Sequence, residues 1–127
     1  MQYYPIDETL ARRAREMTSY SDYVPGSATA EYRRSVDEAA SLAERQKQKV
    51  DPIHHERIDQ LLDAYARRLA ENINQGNAIT ARAPSILIAG GGNFPARKKE
   101  KQNQAAAANL AEWRQIQGLL DKIRGTG

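Results

Sequence analysis

One stretch of the chain, residues 58–73, places an apolar side chain at every third or fourth position. This spacing predicts an amphipathic helix, because steps of three and four residues return to the same helix face. Asp51–Pro52 predicts where the helix starts, since proline suits the first helical position and disfavours helical geometry in the residue before it. Gly76 is a natural C-terminal cap. The stripe consists of Ile58, Leu61, Leu62, Tyr65, Leu69 and Ile73.

A second long helix is predicted before the Asp51–Pro52 break. Ser27 or Thr29 opens it, because both hydroxyl side chains are favoured at helix N-termini. It ends near Val50, ahead of the proline. Charged residues lie outside its apolar stripe, as expected of a helix with one buried face. The stripe consists of Tyr32, Val36, Ala39, Ala43 and Val50.

A further long helix is predicted after Pro95, from about Ala96 to Ile123, and Gly125 ends it. Its first half is polar and basic, and its second half is amphipathic. We expect Trp113 to be an anchor in the core or in a dimer seam. The apolar stripe is predicted to contain Leu110, Trp113, Ile116, Leu120 and Ile123.

The beginning of the chain predicts an irregular arm over residues 1–6 and then a short helix capped by Asp7. One face of that helix carries Leu10, Ala14 and Met17. Pro25–Gly26 indicates a turn. Five of the six tyrosines lie between positions 3 and 32. Such tyrosines either pack over a helix pair or form an interface, because the ring is apolar and the hydroxyl is polar.

These elements define an all-α protein, an antiparallel bundle or hairpin stack of about four helices with one irregular glycine-rich segment. Alanine supplies 20 of the 127 residues, whereas valine, isoleucine, leucine and phenylalanine together supply 22. The core is therefore thin for helices of this length, and we expect homodimerisation or helix faces shared between chains. We treat residues 1–127 as a single helical domain, divided into 1–26, 27–76, 77–95 and 96–124.

Several classes of protein are excluded by composition. The chain has no cysteine, so it has no disulfide framework, no thiolate nucleophile and no cysteine-type zinc site. Its longest apolar run, Ile86–Ala89, is far shorter than a membrane span. The start, Met1–Pro5, lacks the basic and apolar stretches of a secretory signal. We therefore expect a soluble cytoplasmic protein with no contact to a membrane.

Positive charge is concentrated in residues 76–104. Five cations and one anion lie there, although the net charge of the whole chain is +3. The segment includes Ala83–Ala89, which predicts a strand or a buried extended stretch, and then Gly90–Gly92. Cations at the start of the following helix oppose its dipole, and a docked anion would relieve that cost.

This pattern leaves three interpretations open. The segment can be a turn into a solvated basic helix start, a contact for nucleic acid or phosphate, or a contact for an acidic protein surface. The glycines match neither nucleotide-loop pattern, GxxxxGK[ST] or GxGxxG. We predict no catalytic residue, no cofactor and no metal for this site. The candidate contact residues are Arg82, Asn93, Arg97, Lys98, Lys99 and Lys101.

A metal-dependent enzyme is a further hypothesis, based on residues outside that basic segment. Asp51, His55 and Asp59 are spaced by four residues and can share a helix face. Zinc sites usually need three or four protein ligands, and His54 is the only other histidine. Asp51 is also explained as a helix cap. A structural role for these residues is therefore favoured.

The stretch Arg82–Asn103 follows the pattern R-x-P-S-x-x-I-x-G-x-x-N-F-P-x-(R/K)-K-K-E-K-Q-N, and Gln115–Ile123 reads Q-I-Q-G-L-L-D-K-I. Together they resemble the N-terminal region of uncharacterised proteins encoded by phages and conjugative elements of gut Firmicutes. The resemblance covers about residues 60–125.

That resemblance implies a mobile-element accessory protein. Such a protein would handle DNA or RNA, or act in counter-defence against host nucleases, as anti-CRISPR and antirestriction proteins do. The expected partner is nucleic acid or an acidic surface of a host nuclease complex. The alternative is a homo-oligomeric protein-interaction module with no affinity for nucleic acid.

Overall fold

The computed structural model of the protein describes residues 2–82 and 96–127, and of residues 96–99 it describes the backbone alone. Helices account for 83% of this part of the chain, which contains no strand. The all-α prediction is therefore confirmed. The helices are α1 (Glu8–Thr18), α2 (Ser27–Lys49), a one-turn 3-10 helix (Pro52–His54), α3 (His55–Arg82) and α4 (Ala96–Arg124).

The central helix is α3, which packs against each of the other three long elements. It runs antiparallel to α2, since Lys47 pairs with Asp59 near the connecting turn. It also runs antiparallel to α4. Arg68 binds Glu112, and one turn later Asn72 meets Asn109. The bundle is thus built on two antiparallel pairs that share α3.

The core lies where α2, α3 and the second half of α4 meet. Its largest fully buried side chains are Tyr32, Ile58, Ile116, Ile123 and Val36. Buried alanines pack between these larger side chains. The predicted stripe of α2 is confirmed, with its last member only partly buried at the helix end. Other buried residues of this cluster are Ala39, Ala43, Leu61, Tyr65, Ala66, Leu69, Ala70 and Leu119.

The N-terminal arm is held by side chains rather than by backbone pairing. The Tyr4 amide donates to the Tyr32 hydroxyl over 3.0 Å, and the Tyr4 hydroxyl donates to Asp63 over 2.6 Å. The Asn74 amide group donates to the Pro5 carbonyl and accepts from the Asp7 amide. The tyrosines of the arm therefore pack over α2 and α3.

Two helix starts differ in how they are capped. Asp7 accepts a hydrogen bond from the Leu10 amide over 3.1 Å, so its predicted role as a cap of α1 is confirmed. The predicted cap by the Asp51 side chain is wrong, because that side chain makes no hydrogen bond to the helix start. The Asp51 backbone carbonyl instead accepts from the His54 amide, and Pro52 begins the 3-10 turn that leads into α3.

The predicted end of α3 at Gly76 is wrong, because α3 continues to Arg82. A Cβ at Gly76 would lie 3.0 Å from Oδ1 of Asn109. Glycine is therefore used here for the close approach of α4, and packing against α4 stabilises the helix beyond it. The predicted strand or extended stretch at Ala83–Ala89 lies outside the described residues.

The predicted single stripe of α4 is also wrong. Ile116 and Ile123 are fully buried, with Leu119 beside them, whereas Leu110 and Trp113 are 47% and 43% exposed. Trp113 is therefore not a core anchor. The described helices include none that is long and apolar enough to cross a membrane.

Candidate functional site

The end of α3 lies beside the first half of α4. Gln102 donates a hydrogen bond from Nε2 to the carbonyl of Ile79 over 3.4 Å, and the Ile79 side chain is buried. Further along the pair, Gly76 lies against Asn109. These contacts bring Arg82 and the first turns of α4 to the same end of the α3–α4 pair.

Two predicted contact residues, Arg82 and Lys101, have described side chains, and both are exposed. The Arg82 guanidinium donates from Nε to the carbonyl of Ala78 over 3.2 Å, one turn back along its own helix. Neither residue belongs to any of the four ion pairs found in the part of the chain that the structure describes. Both cations are therefore exposed at the same end of the α3–α4 pair.

The first turn of α4 contains Arg97, Lys98 and Lys99 and no acidic residue. Glu100 follows, and its carboxylate accepts a hydrogen bond from Gln104 over 3.3 Å. Helix N-termini carry partial positive charge and unpaired amides, so three cations there are electrostatically unfavourable. The remaining predicted contact residue, Asn93, lies outside the described residues.

Two residues of the histidine hypothesis, His55 and Asp59, make contacts between α2 and α3. Nε2 of His55 lies 2.8 Å from the carbonyl of Lys47, and the Lys47 ammonium pairs with Asp59. Residues 2–82 and 96–127 contain no group of three or more His, Asp or Glu side chains arranged to hold a metal ion. His55 and Asp59 thus join the last turn of α2 to the first turns of α3.

A carboxylate that the sequence analysis missed caps α2. Glu8 of α1 accepts from the Gly26 and Thr29 amides and from the hydroxyls of Tyr23 and Thr29. These bonds lower the pKa of Glu8 to about 2, the Thr29 hydroxyl contributing most and the Tyr23 hydroxyl next. Gly26 is the N-cap residue and has positive φ. An acidic residue 18 positions before that glycine gives no local capping signal.

Packing of α2 and α4 on α3 leaves a groove of about 940 Å³ that all four helices line. Apolar side chains make up part of its lining, and burial raises the pKa of Tyr65 there. Its charged residues include Glu31, Glu38, Arg45 and Arg124. The larger aliphatic and indole side chains are Leu42, Leu69, Ile73, Trp113 and Leu120.

The spacing of residues in α4 predicts that a second face of this helix contributes to the groove. Leu110, Trp113, Gln117 and Leu120 follow one another by three, four and three residues, and form a second stripe beside the buried one. A helix with two apolar stripes can contact neighbours on two sides. We call these four residues the outer stripe of α4.

No family model matches the chain, and neither a curated protein nor a solved structure does.

Proposed function

We propose that this chain is a non-enzymatic accessory protein of a mobile element that contacts nucleic acid, or an enzyme that handles nucleic acid, at the end of its α3–α4 pair. The observation that supports the proposal is that two exposed cations, Arg82 and Lys101, lie on neighbouring helices. The predicted contact set adds Asn93, Arg97, Lys98 and Lys99.

Phosphate is the chemistry that suits this end of the molecule. Cations in the first turn of α4 repel its dipole, so they cost the helix stability while no anion is bound. A phosphodiester backbone accepts hydrogen bonds from lysine, arginine and unpaired helix amides. Binding then releases counterions from the nucleic acid, which makes affinity fall steeply with salt.

The mobile-element setting is supported by the resemblance of Arg82–Asn103 and Gln115–Ile123 to phage and conjugative-element proteins. Counter-defence of the anti-CRISPR or antirestriction type is the role that we propose within that setting. In that role the basic end occupies the place of a host enzyme's nucleic acid, or binds the nucleic acid itself.

The test is a fluorescence-anisotropy titration of the full chain against labelled duplex DNA and single-stranded RNA at two salt concentrations. We expect binding that weakens steeply with salt. Reversing Lys98, Lys99 and Lys101 to glutamate should abolish it. The matched control reverses Arg12, Arg13 and Arg34, which are exposed elsewhere and change the net charge equally. Equal loss in both variants would show that net charge alone drives binding and would reject this site.

The enzyme-directed form of the proposal is tested by a pull-down from host lysate with and without nuclease treatment. Recovery of a nucleic-acid-handling enzyme after nuclease treatment, and its loss in the lysine-reversal variant, supports contact with the enzyme. Wild-type affinity of that variant for both nucleic acid and enzyme would reject the proposal.

The second candidate function is a homo-oligomeric protein-interaction module. The observation that favours it is the exposed outer stripe of α4, where Leu110 and Trp113 keep nearly half of their surface in solvent. Such a module would bind protein at that stripe and show no affinity for nucleic acid.

A further inference from the structure

We propose that the outer stripe of α4 and the groove beside it form a symmetric dimer interface, in which α4 of each copy lies in the groove of the other. This inference is independent of nucleic-acid binding. It assigns a partner, a second copy of this chain, to a partly apolar surface that the fold leaves open.

The first observation is the exposed surface of α4. The outer stripe continues in both directions through Ala106 and Arg124, and the resulting spacing of four, three, four, three and four residues is that of a coiled-coil seam. Trp113 is 43% exposed and Leu110 is 47% exposed. Two large apolar side chains exposed one turn apart, with Leu120 of the same stripe only partly buried, indicate a protein-contact surface.

The second observation is that the outer stripe lies beside the groove on the same chain. Trp113, Gln117 and Leu120 of the stripe also line the groove of about 940 Å³. A two-fold axis beside α4 can therefore place each α4 in the opposite groove at the same time. Such an interface is isologous, the arrangement found in most homodimers.

Antiparallel pairing of the two α4 helices gives a register that matches apolar residues. If the pair is centred between Trp113 and Gln117, Leu110 of one copy lies opposite Leu120 of the partner subunit. Trp113 then lies opposite Gln117 of the partner subunit. Leu110 and Leu120, the aliphatic ends of the outer stripe, are buried in the pair.

Charge also favours a second copy over a random apolar helix. The groove face of α2 carries two exposed acidic residues, Glu31 and Glu38. Neither forms an ion pair within the part of the chain that the structure describes. Arg114 is exposed and follows Trp113 by about 100° around α4, so it flanks the outer stripe. In the antiparallel register, Arg114 of the partner subunit comes to the level of Glu38. Opposite charges therefore meet at the edge of the buried seam.

The test is sedimentation equilibrium of the full chain over a wide concentration range. We expect the mass of two chains at high concentration and a reversible transition to one chain on dilution. Trp113 is the sole tryptophan, so its emission should shift to shorter wavelength as the dimer forms. A single-chain mass with unshifted emission at every concentration would overturn the proposal.

Variants locate the interface. Trp113→Glu and Leu110→Glu should each weaken dimerisation at least about 30-fold, as loss of a buried interface anchor does. Circular dichroism checks that helix content is kept, and both side chains are exposed enough for the monomer to fold. The control is Gln115→Glu, an exposed position on the solvent side of α4, which should dimerise normally. A dimer of unchanged affinity in both stripe variants would place the interface elsewhere and reject the proposal.

A charge exchange tests the register. Glu38→Arg and Arg114→Glu should each weaken the dimer by up to about 10-fold, and the double variant should recover most of that loss. Additive losses in the double variant would reject the antiparallel register.

Discussion

The N-termini of α2 and α4 place opposite charges on the same kind of site. At α2 an anion, Glu8, accepts hydrogen bonds from the first-turn amides, and its pKa falls to about 2. At α4 the first turn carries three cations and no acid. The helix dipole favours the first arrangement and opposes the second. Charge therefore stabilises the start of α2, whereas at the start of α4 it opposes the helix dipole.

The largest expected effect comes from making the α2 start resemble the α4 start. Glu8→Lys removes four hydrogen bonds and places a cation beside the α2 amides. We expect the free energy of unfolding to fall by about 2–3 kcal/mol in urea denaturation. The control is Glu16→Lys on the exposed side of α1, which should change it by less than about 0.5 kcal/mol. Similar losses in both variants would show that Glu8 has no special role.

The pH dependence of stability sharpens the comparison. The pKa of Glu8 is about 2 in the folded protein and near 4.5 in the unfolded chain, so its contribution is complete above about pH 4.5. That contribution is lost as the pH falls through about 2. Because Glu8 is partly exposed to solvent, we expect its pH-dependent contribution to the free energy of unfolding to be about 1–2 kcal/mol.

Glu8→Gln tests this by urea titration at a series of pH values. The variant should be less stable than the wild type at pH 7 and should approach it as the pH falls towards 2. A constant difference between the two proteins at all pH values would contradict the lowered pKa.

A smaller loss of stability is expected from the hydrogen bonds that join the first half of α4 to α3. Asn109 donates to the Asn72 carbonyl over 3.0 Å, and Asn72 returns a bond of 2.9 Å to the Asn109 carbonyl. Asn109→Ala should cost about 1 kcal/mol, since one bond of this pair is lost. Hydrogen exchange should increase most at the start of α4. Uniform exchange along α4 would mean that the two halves unfold together.

The smallest expected effect has the opposite sign. The double variant Lys98→Glu with Lys99→Glu gives the start of α4 acidic side chains, as Glu8 provides one at the start of α2. We expect it to raise the free energy of unfolding by about 0.3–1 kcal/mol in thermal denaturation. The same variant should bind nucleic acid more weakly. Reversal of Arg12 and Arg13 on α1 is the control and should change neither property in this way. Loss of stability in the lysine variant would contradict the electrostatic comparison.

Long-range contacts explain the errors in the sequence-based predictions. Gly76 predicted a helix end because glycine is typical of such ends. This glycine instead leaves space for Asn109 of α4, within a helix that continues to Arg82. The predicted stripe of α4 combined residues from two faces, because spacing alone does not say which apolar residues a neighbouring helix will cover. Glu8 was missed since its partners, Tyr23, Gly26 and Thr29, lie 15 to 21 residues further along the chain.

The sequence by itself determined the helical class, the Asp7 cap, the buried stripe of α2 and the positions of three long helices. Each of these depends on neighbours within a few turns, where propensity and periodicity operate. The tertiary structure decided that α3 is central, that Glu8 caps α2 and that Trp113 lies at a groove rather than in the core. Those features depend on contacts between distant segments, which are set by how side-chain volumes fill the space between packed helices.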